Sequence, residues 1–336
     1  MVIVQNKQVE AEQWNDLLED SFYYSPFQTE KAYKLFNSAE GLGADVFAVE
    51  DNGAYKCLVV VTVHRENGLK SFFSGRGIIY GGLVIRHGGS GYVDTLLNAI
   101  DDYYRNKLIY IEIRNYFDFT QYHSLLTHPG WKHIPWLNIQ NEISSNNMLS
   151  EFSSSRKRQI LKALRNGASW EQAGSSNEIK EFYSILSDLY TNKIKKPLIP
   201  LPFFLNAFDT GFAIFLLVKY SGRIIGGIML AIIPDRAAYE FYVCGLDSEF
   251  RDQYPSVMAT WAAIEYAQKN DIPLFDFMGA GSPDKEYGVR EFKKRFGGVV
   301  VEHSRYLKVF NPVLYMVGKM GLKVMQLTGK LKFYGI

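Results

Sequence analysis

Two neighbouring segments decide the fold of this chain: Phe275-Asp-Phe-Met-Gly-Ala-Gly281 and Tyr287-Gly-Val-Arg-Glu-Phe-Lys-Lys-Arg-Phe-Gly-Gly298. The first lies in a predicted strand over 273–278 that ends in a glycine-rich loop, because an apolar run bounded by glycines indicates a strand and a turn. The second covers a predicted helix near 286–296. Together they predict a strand, a loop and a short helix with adjacent lysines.

The order of elements around these segments occurs twice along the chain. Each half is predicted to contain antiparallel strands, then a helix, a strand and another helix. The offset between the halves is roughly 165 residues, much longer than a solenoid repeat, and indicates a duplicated domain. The predicted fold class is α/β, with two mixed sheets covered by helices. Corresponding predicted elements are the strands 44–65 and 212–233, the helices 91–106 and 255–269, and the strands 108–114 and 273–278.

A short polar segment, 144–150, separates the two halves and contains two adjacent asparagines. We therefore expect a first domain over 1–148 and a second domain over 149–310. A terminal helix over about 311–336 is expected to pack back on the first domain.

The composition is that of an ordinary globular protein. The chain has 336 residues, of which 47% are apolar and 21% charged, and its net charge is +2. These values exclude intrinsic disorder and a strong positive potential over the whole surface that would attract polyanions. Two cysteines are too few for a disulfide scaffold or a cysteine-rich zinc site. The N-terminal residues lack a signal-peptide pattern and no stretch is long and apolar enough to span a membrane, so we expect a cytoplasmic protein.

The turn Arg86-His-Gly-Gly-Ser-Gly91 is a candidate donor site. Each half resembles the GNAT acyltransferase fold, in which such a turn before a helix binds a pyrophosphate. Glycines allow backbone N–H groups to approach phosphate at a helix N-terminus, so Arg86, Gly89 and Gly91 are candidate ligands of acyl-CoA. A plain loop with Ser90 as a helix cap explains the same residues.

The corresponding turn of the second half fits this role poorly. Tyr254 and Pro255 stand where the pattern favours glycine or a free backbone amide. Because proline has no N–H group, we do not expect a standard coenzyme A site there.

The segment 154–166 is predicted to form a basic helix. Arg158, Lys162 and Arg165 recur at positions i, i+4 and i+7, on one helical face. The apolar residues Ile160, Leu161 and Leu164 are predicted to form the buried side. The basic face is either a solvated surface or a contact for phosphates, such as those of tRNA.

These segments together resemble the Fem family of bacterial aminoacyltransferases, which build peptidoglycan cross-bridges. The similarity is most specific in the helix 154–167 and in the strand, loop and helix of 275–298. Ser25-Pro-Phe-Gln28 and Arg76-Gly77 resemble further family motifs. The resemblance implies two GNAT-like domains. It also implies an aminoacyl-tRNA donor and an amine acceptor on a nucleotide-linked or lipid-linked muramyl peptide.

The resemblance also suggests roles for individual residues. Lys293 matches a family lysine and is expected to stabilise the negative charge that develops on the carbonyl oxygen as the amine attacks. Phe292, Arg76, Tyr242 and Lys34 are the corresponding candidates for substrate binding, with Lys31 competing with Lys34. No permanently bound cofactor is implied.

The chain also departs from the family pattern. Arg76-Gly-Ile-Ile-Tyr-Gly81 lacks the aspartate that follows in the family, and 191–202 lacks an arginine. These losses leave two alternatives open. The first is an N-acyltransferase that uses acyl-CoA or an acyl carrier and acts on an amino sugar or polysaccharide precursor. The second is a catalytically silent module that binds envelope precursors.

Two further features complete the expectations. His123, His128 and His133 are spaced by five, which does not align them on a helix, so no metal site is expected. The segment 303–336 contains basic and apolar residues but no Asp or Glu. Its helix is expected to dock on the first domain. Contact with the inner membrane face is expected only for the tail after Thr328.

Overall fold

The computed structural model describes residues 1–65, 74–127, 130–143 and 148–328, with side chains described as far as 321. The chain forms two compact units, Met1–Pro135 with His303–Ile336, and Trp136–Glu302. Each unit is a mixed sheet with helices, so the predicted α/β class with two mixed sheets is confirmed. Residues 144–147 of the predicted linker lie outside the described residues.

The first unit contains a mixed sheet in the order β1-β2-β3-β4-β6-β15-β7, with β5 paired to β3. Only β4 and β6 are parallel among its described pairs. The strands are β1 Val2–Gln5, β2 Leu42–Asp51, β3 Ala54–His64, β4 Arg76–Tyr80, β5 Val84–Ile85, β6 Tyr110–Arg114, β7 Trp131–Ile134 and β15 Arg305–Val309. The helices are α1 Ala11–Glu19, α2 Glu30–Asn37, α3 Val93–Tyr104, α4 His123–Leu126 and α10 Pro312–Thr328.

The second unit repeats this arrangement, in the order β14-β8-β13-β12-β11-β10-β9. Here β12 and β13 form the parallel pair. The strands are β8 Leu137–Glu142, β9 Ser169–Gln172, β10 Ala213–Tyr220, β11 Arg223–Ile233, β12 Ala237–Gly245, β13 Leu274–Gly279 and β14 Val299–Glu302. The helices are α5 Ser154–Arg165, α6 Ser176–Leu189, α7 Leu201–Asp209, α8 Pro255–Lys269 and α9 Gly288–Lys294.

Both predicted hairpins form, and their turns explain why. Asn52-Gly53 joins β2 to β3, and Ser221-Gly222 joins β10 to β11. All four of these residues have positive φ, between 49° and 77°. Two-residue hairpin loops require this conformation because it matches the twist of the flanking strands.

Each unit completes its sheet with the last strand of the other half of the chain. β8 follows β7 in sequence but pairs with β13 and β14 of the second unit. Conversely, β15 follows β14 but pairs with β6 and β7 of the first unit.

This exchange changes the domain boundaries expected from the sequence. The structure divides the chain at 135/136 and 302/303, and not at 148/149 and 310/311. At each division one strand ends and the next begins after only two residues, between β7 and β8 and between β14 and β15. Pro135, which lacks an N–H group, lies at the first break, and Ser304, with φ of 60°, lies at the second.

The terminal helix α10 lies in the first unit, but its apolar side is not covered as expected. Tyr315 contacts Tyr110, with 5.2 Å between the ring centroids. However, four apolar side chains of α10 are between 53% and 71% exposed, namely Val313, Met316, Val317 and Met320. The docking expected for this helix is therefore limited to its half-buried residues, such as Leu314 and Tyr315.

Candidate active site

The end of β13 is irregular, and this irregularity builds the candidate site of the second unit. Along β8, Gln140 pairs with Asp276 and Asn138 pairs with Gly279, so β13 contains one extra residue between these pairs. Phe277 and Met278 form the bulge opposite the single residue Ile139, and Met278 has a φ of +58°. A β-bulge with a strained non-glycine residue redirects the neighbouring carbonyl groups, and such features concentrate near functional sites.

Lys293 of α9 points at this bulge. Its Nζ donates to the carbonyl oxygen of Phe277 at 2.5 Å and to that of Gly279 at 3.3 Å. It also forms an ion pair with Glu240 at 3.2 Å. The lysine side chain is only 9% exposed. An ammonium group has three hydrogens, so these three acceptors satisfy it completely.

Glu240 of β12 gives the site a second buried charge. Its side chain is 4% exposed, and Oε2 has no hydrogen-bond partner among the described residues. Burial raises the pKa of the Glu240 carboxyl, while the ammonium of Lys293 acts in the opposite direction. A half-satisfied buried carboxylate beside a buried lysine is costly for a purely structural pair, and is therefore a mark of a functional site.

Asp276 of β13 lies on the other side of the bulge. It is fully buried and accepts hydrogen bonds from Gln140 Nε2 at 2.8 Å and from the Met278 amide at 2.5 Å. Burial raises the pKa of its carboxyl to about 6. Its two donors fix the shape of the bulge, so Asp276 positions the carbonyl groups that Lys293 contacts.

Arg156 is a member of this site that sequence reasoning missed. Its guanidinium stacks on the rings of Phe292 and Phe296, at 4.4 Å from each centroid, and donates to the Phe292 carbonyl at 3.0 Å. The residue is 2% exposed. It thus attaches α5 to α9 beside Lys293. The available signal was its spacing of four from Ile160, which places it on the buried side of α5.

The predicted faces of α5 need correction. Leu161 and Leu164 are 48% and 38% exposed, whereas Arg156, Ile160 and Ala163 are buried. The arginine is stabilised inside by aromatic rings, so the buried face is rotated relative to the apolar pattern.

The three predicted phosphate contacts on α5 have different surroundings. Arg158 and Arg165 are exposed. Lys162 forms an ion pair with Asp252 at 2.7 Å and is only partly exposed. Two of the three cations are thus open to a ligand, and the third is engaged with the loop before α8.

The other second-unit candidates lie near Lys293 but in packing roles. Phe292 carries the stacked Arg156 and contacts the ring of Phe296. Tyr242 lies two residues beyond Glu240 on β12, in an aromatic cluster with Phe204, whose ring centroid is 5.1 Å away.

The first-unit candidates are placed separately. Lys34 is exposed and forms an ion pair with Glu30, one turn earlier in α2. Arg76 is partly exposed and begins β4, next to Tyr110 of β6. Both lie in the first unit, whereas Lys293 lies in the second.

The turn at 86–91 is shaped differently from the expected donor site. Arg86 is bound to Asp16, to Asp20 at 2.8 Å and to the Tyr55 carbonyl at 2.7 Å. These contacts fully engage the one cation of the turn. Gly89 packs so closely that an added Cβ would lie 2.4 Å from the Lys56 carbonyl oxygen, whereas Gly91 faces open space.

In the corresponding turn of the second unit, the side chain of Asp247 occupies the N-terminus of α8. Asp247 accepts hydrogen bonds from the Ser256 amide at 3.1 Å and from its hydroxyl at 2.5 Å. A carboxylate therefore sits at the N-terminus of α8, where the pattern would place a pyrophosphate.

Two of the three spaced histidines meet, although the spacing argued against it. The rings of His123 and His133 lie 4.9 Å apart. Their nitrogens bond separately, to the Tyr306 and Ser304 hydroxyls, each at 2.8 Å. His128 lies outside the described residues. Within those residues, no group of three potential ligands is arranged to hold a metal ion.

The FemAB family model matches residues 223–320. The predicted resemblance to the Fem family is confirmed. The matched region runs from β11 into α10 and contains Glu240, Asp276 and Lys293. The predicted class of enzyme, an acyl- or aminoacyltransferase, is confirmed by the same match.

Solved structures share the fold over almost the whole chain. FemX is 16% identical, with a TM-score of 0.70, and the match covers 94% of this chain and 99% of FemX. L-PGS from Bacillus licheniformis is 11% identical, with a TM-score of 0.60 and coverage of 96% and 98%. A tandem GNAT protein of the clavulanic acid biosynthesis pathway is 10% identical, with a TM-score of 0.58 and coverage of 93% and 99%.

No curated protein matches the sequence. Within the part of the chain that the structure describes, no helix is long and apolar enough to cross a membrane.

Proposed function

We propose that the chain transfers an aminoacyl group from aminoacyl-tRNA to an amine of a cell-envelope precursor, a muramyl peptide or a related glycan. The observation that carries the proposal is the buried Lys293 at the bulge of β13, inside the region matched by the FemAB model. The likeness to FemX and to L-PGS supports the same class of donor.

The proposed role of Lys293 follows from its contacts. Attack of an amine on an ester carbonyl moves negative charge onto the carbonyl oxygen. A fixed ammonium next to that oxygen stabilises the charge only as it develops. The 3.3 Å contact with Gly279 is the longest of its hydrogen bonds, so a substrate oxygen would replace this acceptor. Glu240 balances the lysine charge before the substrate enters.

The proposed tRNA contact uses the open cations of α5. Arg158 and Arg165 are exposed and lie on the helix that Arg156 attaches to α9. Binding through phosphates releases counterions, so affinity should fall steeply as salt rises.

The test is transfer of a labelled amino acid from charged tRNA to a nucleotide-linked or lipid-linked muramyl peptide, measured across a salt series. We expect transfer that weakens with salt and a further loss when Arg158 and Arg165 are both changed to Ala. Lys180→Ala, a change at an exposed lysine of α6, is the matched control and should leave the salt response unchanged. Transfer with a flat salt response, or from acetyl-CoA alone, would refute the tRNA donor.

A donor with coenzyme A is the second candidate, and the open side of Gly91 is the observation that favours it. Gly91→Asp places a carboxylate in that open space and would abolish acyl-CoA binding at this turn. Gly89→Asp is not a clean test, because its side chain would clash with Lys56 and disturb the fold. Retained acetyl-CoA binding in Gly91→Asp would exclude the turn as the donor site.

We also propose that the C-terminal segment rests on the inner membrane face. The tail after Thr328 lies outside the described residues, but α10 itself presents apolar side chains at i, i+3, i+4 and i+7, beginning at Val313. No Asp or Glu follows Glu302. An amphipathic basic helix binds anionic lipid surfaces. Cosedimentation with vesicles that contain anionic lipid should be lost in a Met316→Glu, Met320→Glu double variant, and unchanged binding would reject this contact.

A further inference from the structure

A cavity of about 460 Å³ opens on the first unit, between the end of α2, the paired ends of β2 and β3, and the end of α3. Its volume falls within the range of small-molecule sites, roughly 300–1,000 Å³. Leu42 and Val63 supply an apolar part of its wall, and its charged groups are Asp45, Arg65 and Lys107. The cavity therefore combines an apolar wall with charges of both signs.

This cavity lies on the side of the first sheet that faces α3. Val63 and Tyr104 belong to the apolar core on that side. His64 is the next residue of β3, and its register partner on β4 is Arg76. Successive side chains of a strand point to opposite faces, and cross-strand partners share a face, so His64 and Arg76 point away from the cavity. The cavity is therefore separate from the candidate substrate contact at Arg76.

Asp45 of β2 forms the negative end of the cavity. Its carboxylate accepts a hydrogen bond from the Tyr104 hydroxyl at 2.6 Å and another from Asn6 Nδ2 at 2.8 Å. Burial and the neighbouring Asp45 carboxylate raise the pKa of Tyr104, so its hydroxyl remains a donor. No cation pairs with Asp45 within the part of the chain that the structure describes. Neutral donors thus fix this carboxylate and leave its negative charge uncompensated.

Arg65 and Lys107 form the positive end. Lys107 Nζ lies over the ring of Tyr103, 3.2 Å from its centroid. Arg65 Nη2 donates to the Lys107 carbonyl oxygen at 3.3 Å. Both residues are exposed, and neither has a carboxylate partner among the described residues. These contacts hold two unpaired cations beside the cavity.

The side chain of Tyr103 connects the two ends. Its hydroxyl donates to Asp45 at 3.4 Å, while its ring face carries the Lys107 ammonium. Asp45 and Lys107 therefore contact the same tyrosine without forming an ion pair with each other. A ligand with one charge would compensate only one end of the cavity, whereas a ligand with both charges complements the two ends at once.

We propose that this cavity binds a zwitterionic amino acid with an apolar side chain. The ammonium of the ligand pairs with Asp45, and its carboxylate pairs with Arg65 and Lys107 through charge-assisted hydrogen bonds. Its side chain contacts Leu42 and Val63 of the apolar wall. The inference goes beyond the proposed function, because the cavity uses none of the residues assigned to the transfer reaction.

The test is a calorimetric titration of the full chain at low salt, without any donor or acceptor of the transfer reaction. The probe is L-leucine, which carries both charges. Leucinamide lacks the carboxylate and N-acetyl-leucine lacks the ammonium, so these two compounds are matched ligand controls. We expect the unchanged chain to bind L-leucine and to bind each control about tenfold or more weakly, because each has lost one set of charge-assisted bonds.

Variants separate the two ends of the cavity from its volume. Asp45→Asn and Lys107→Gln should each weaken L-leucine binding about tenfold. Gly43→Leu should abolish binding by filling the cavity, since Gly43 shares a strand face with Asp45 and an added Cβ there comes no closer than 3.8 Å to the atoms around it. Arg105→Gln is the control, because the Arg105 side chain is 66% exposed and pairs with Asp102. It should change the affinity less than about twofold.

Thermal unfolding checks that each variant folds. Should Asp45→Asn fail to fold, Lys107→Gln decides, because Lys107 is exposed and has no ion pair within the described ranges. Absence of L-leucine binding by the unchanged chain would overturn the proposal. Equal binding of leucinamide or N-acetyl-leucine, or unchanged affinity in Lys107→Gln, would also overturn it.

Discussion

The two units share one arrangement of strands, but their buried carboxyl groups lie in opposite electrostatic surroundings. In the second unit, one buried cation, Lys293, lies beside two buried carboxyl groups, Glu240 and Asp276. In the first unit, one carboxylate, Glu112, lies among arginines. The duplicated scaffold therefore carries two chemically different groups of charged residues, which illustrates that function depends on the residues placed on a fold and not on the fold itself.

The exchanged strands β15 and β8 contribute side chains to the charged residues around Glu112 and around Asp276. β15 brings Arg305 to Glu112 of the first unit, and β8 brings Gln140 to Asp276 of the second. Neither half of the sequence could build its cluster alone. Each unit therefore needs a strand from the other half of the sequence, although each unit has its own core.

The largest effect is expected from removal of the buried Lys293 ammonium in the second unit. Lys293→Met leaves Glu240 buried without its ion-pair partner, which should lower the free energy of unfolding by about 3–5 kcal/mol. Adding Glu240→Gln should recover much of this loss, because no unpaired charge remains. Urea denaturation of the single and double variants measures both changes.

Lys294→Met is the matched control, since Lys294 has an exposed side chain and only a long ion pair with Glu291. Its effect should lie within about 0.5 kcal/mol. If Lys293→Met is as stable as this control, the buried pair does not hold the site as we describe.

Acidification should change the stability contributions of Glu112 and Asp276 in opposite directions. The depressed pKa of Glu112 means that its contribution is complete above pH 4.5 and is lost as pH falls toward 2. The raised pKa of Asp276 means that its ionisation costs stability above pH 6, and this cost disappears as pH falls toward 3.8. Each shift corresponds to roughly 3 kcal/mol at full development.

The measurement is thermal unfolding between pH 3 and pH 7 for Glu112→Gln and Asp276→Asn. Relative to the unchanged chain, Glu112→Gln should lose less stability on acidification below pH 4.5. Asp276→Asn should lack the gain between pH 6 and pH 4. Parallel pH profiles for the two variants would contradict the opposite pKa shifts of Glu112 and Asp276.

A smaller effect is expected at the stacked arginine of α5. Arg156→Met keeps apolar contact with Phe292 and Phe296 but loses the cation–π contacts and the hydrogen bonds, which should cost about 1–3 kcal/mol. Arg158→Met, at an exposed position of the same helix, should change stability by less than about 0.5 kcal/mol. Equal effects in urea denaturation would show that Arg156 does not attach α5 to α9.

The sequence predicted local order better than it predicted partners between distant segments. The hairpins, the duplicated element order and the lysine-bearing helix were recognisable because turn residues and apolar runs act locally. The exchange of β8 and β15 was not recognisable, because the residues of a strand do not determine which sheet edge it pairs with. Arg156 was missed for a similar reason: its burial depends on two phenylalanines that lie more than 130 positions later.

The central claim is that Lys293 acts on the transferred group, and the direct measurement is the rate of aminoacyl transfer from charged tRNA by Lys293→Met and Lys293→Met/Glu240→Gln. The double variant separates chemistry from folding, because it carries no unpaired buried charge. We predict that it folds and loses about 100-fold or more in kcat, as expected for removal of a group that stabilises a developing oxyanion, while Lys294→Met retains the rate. A folded double variant with the unchanged rate would contradict the account.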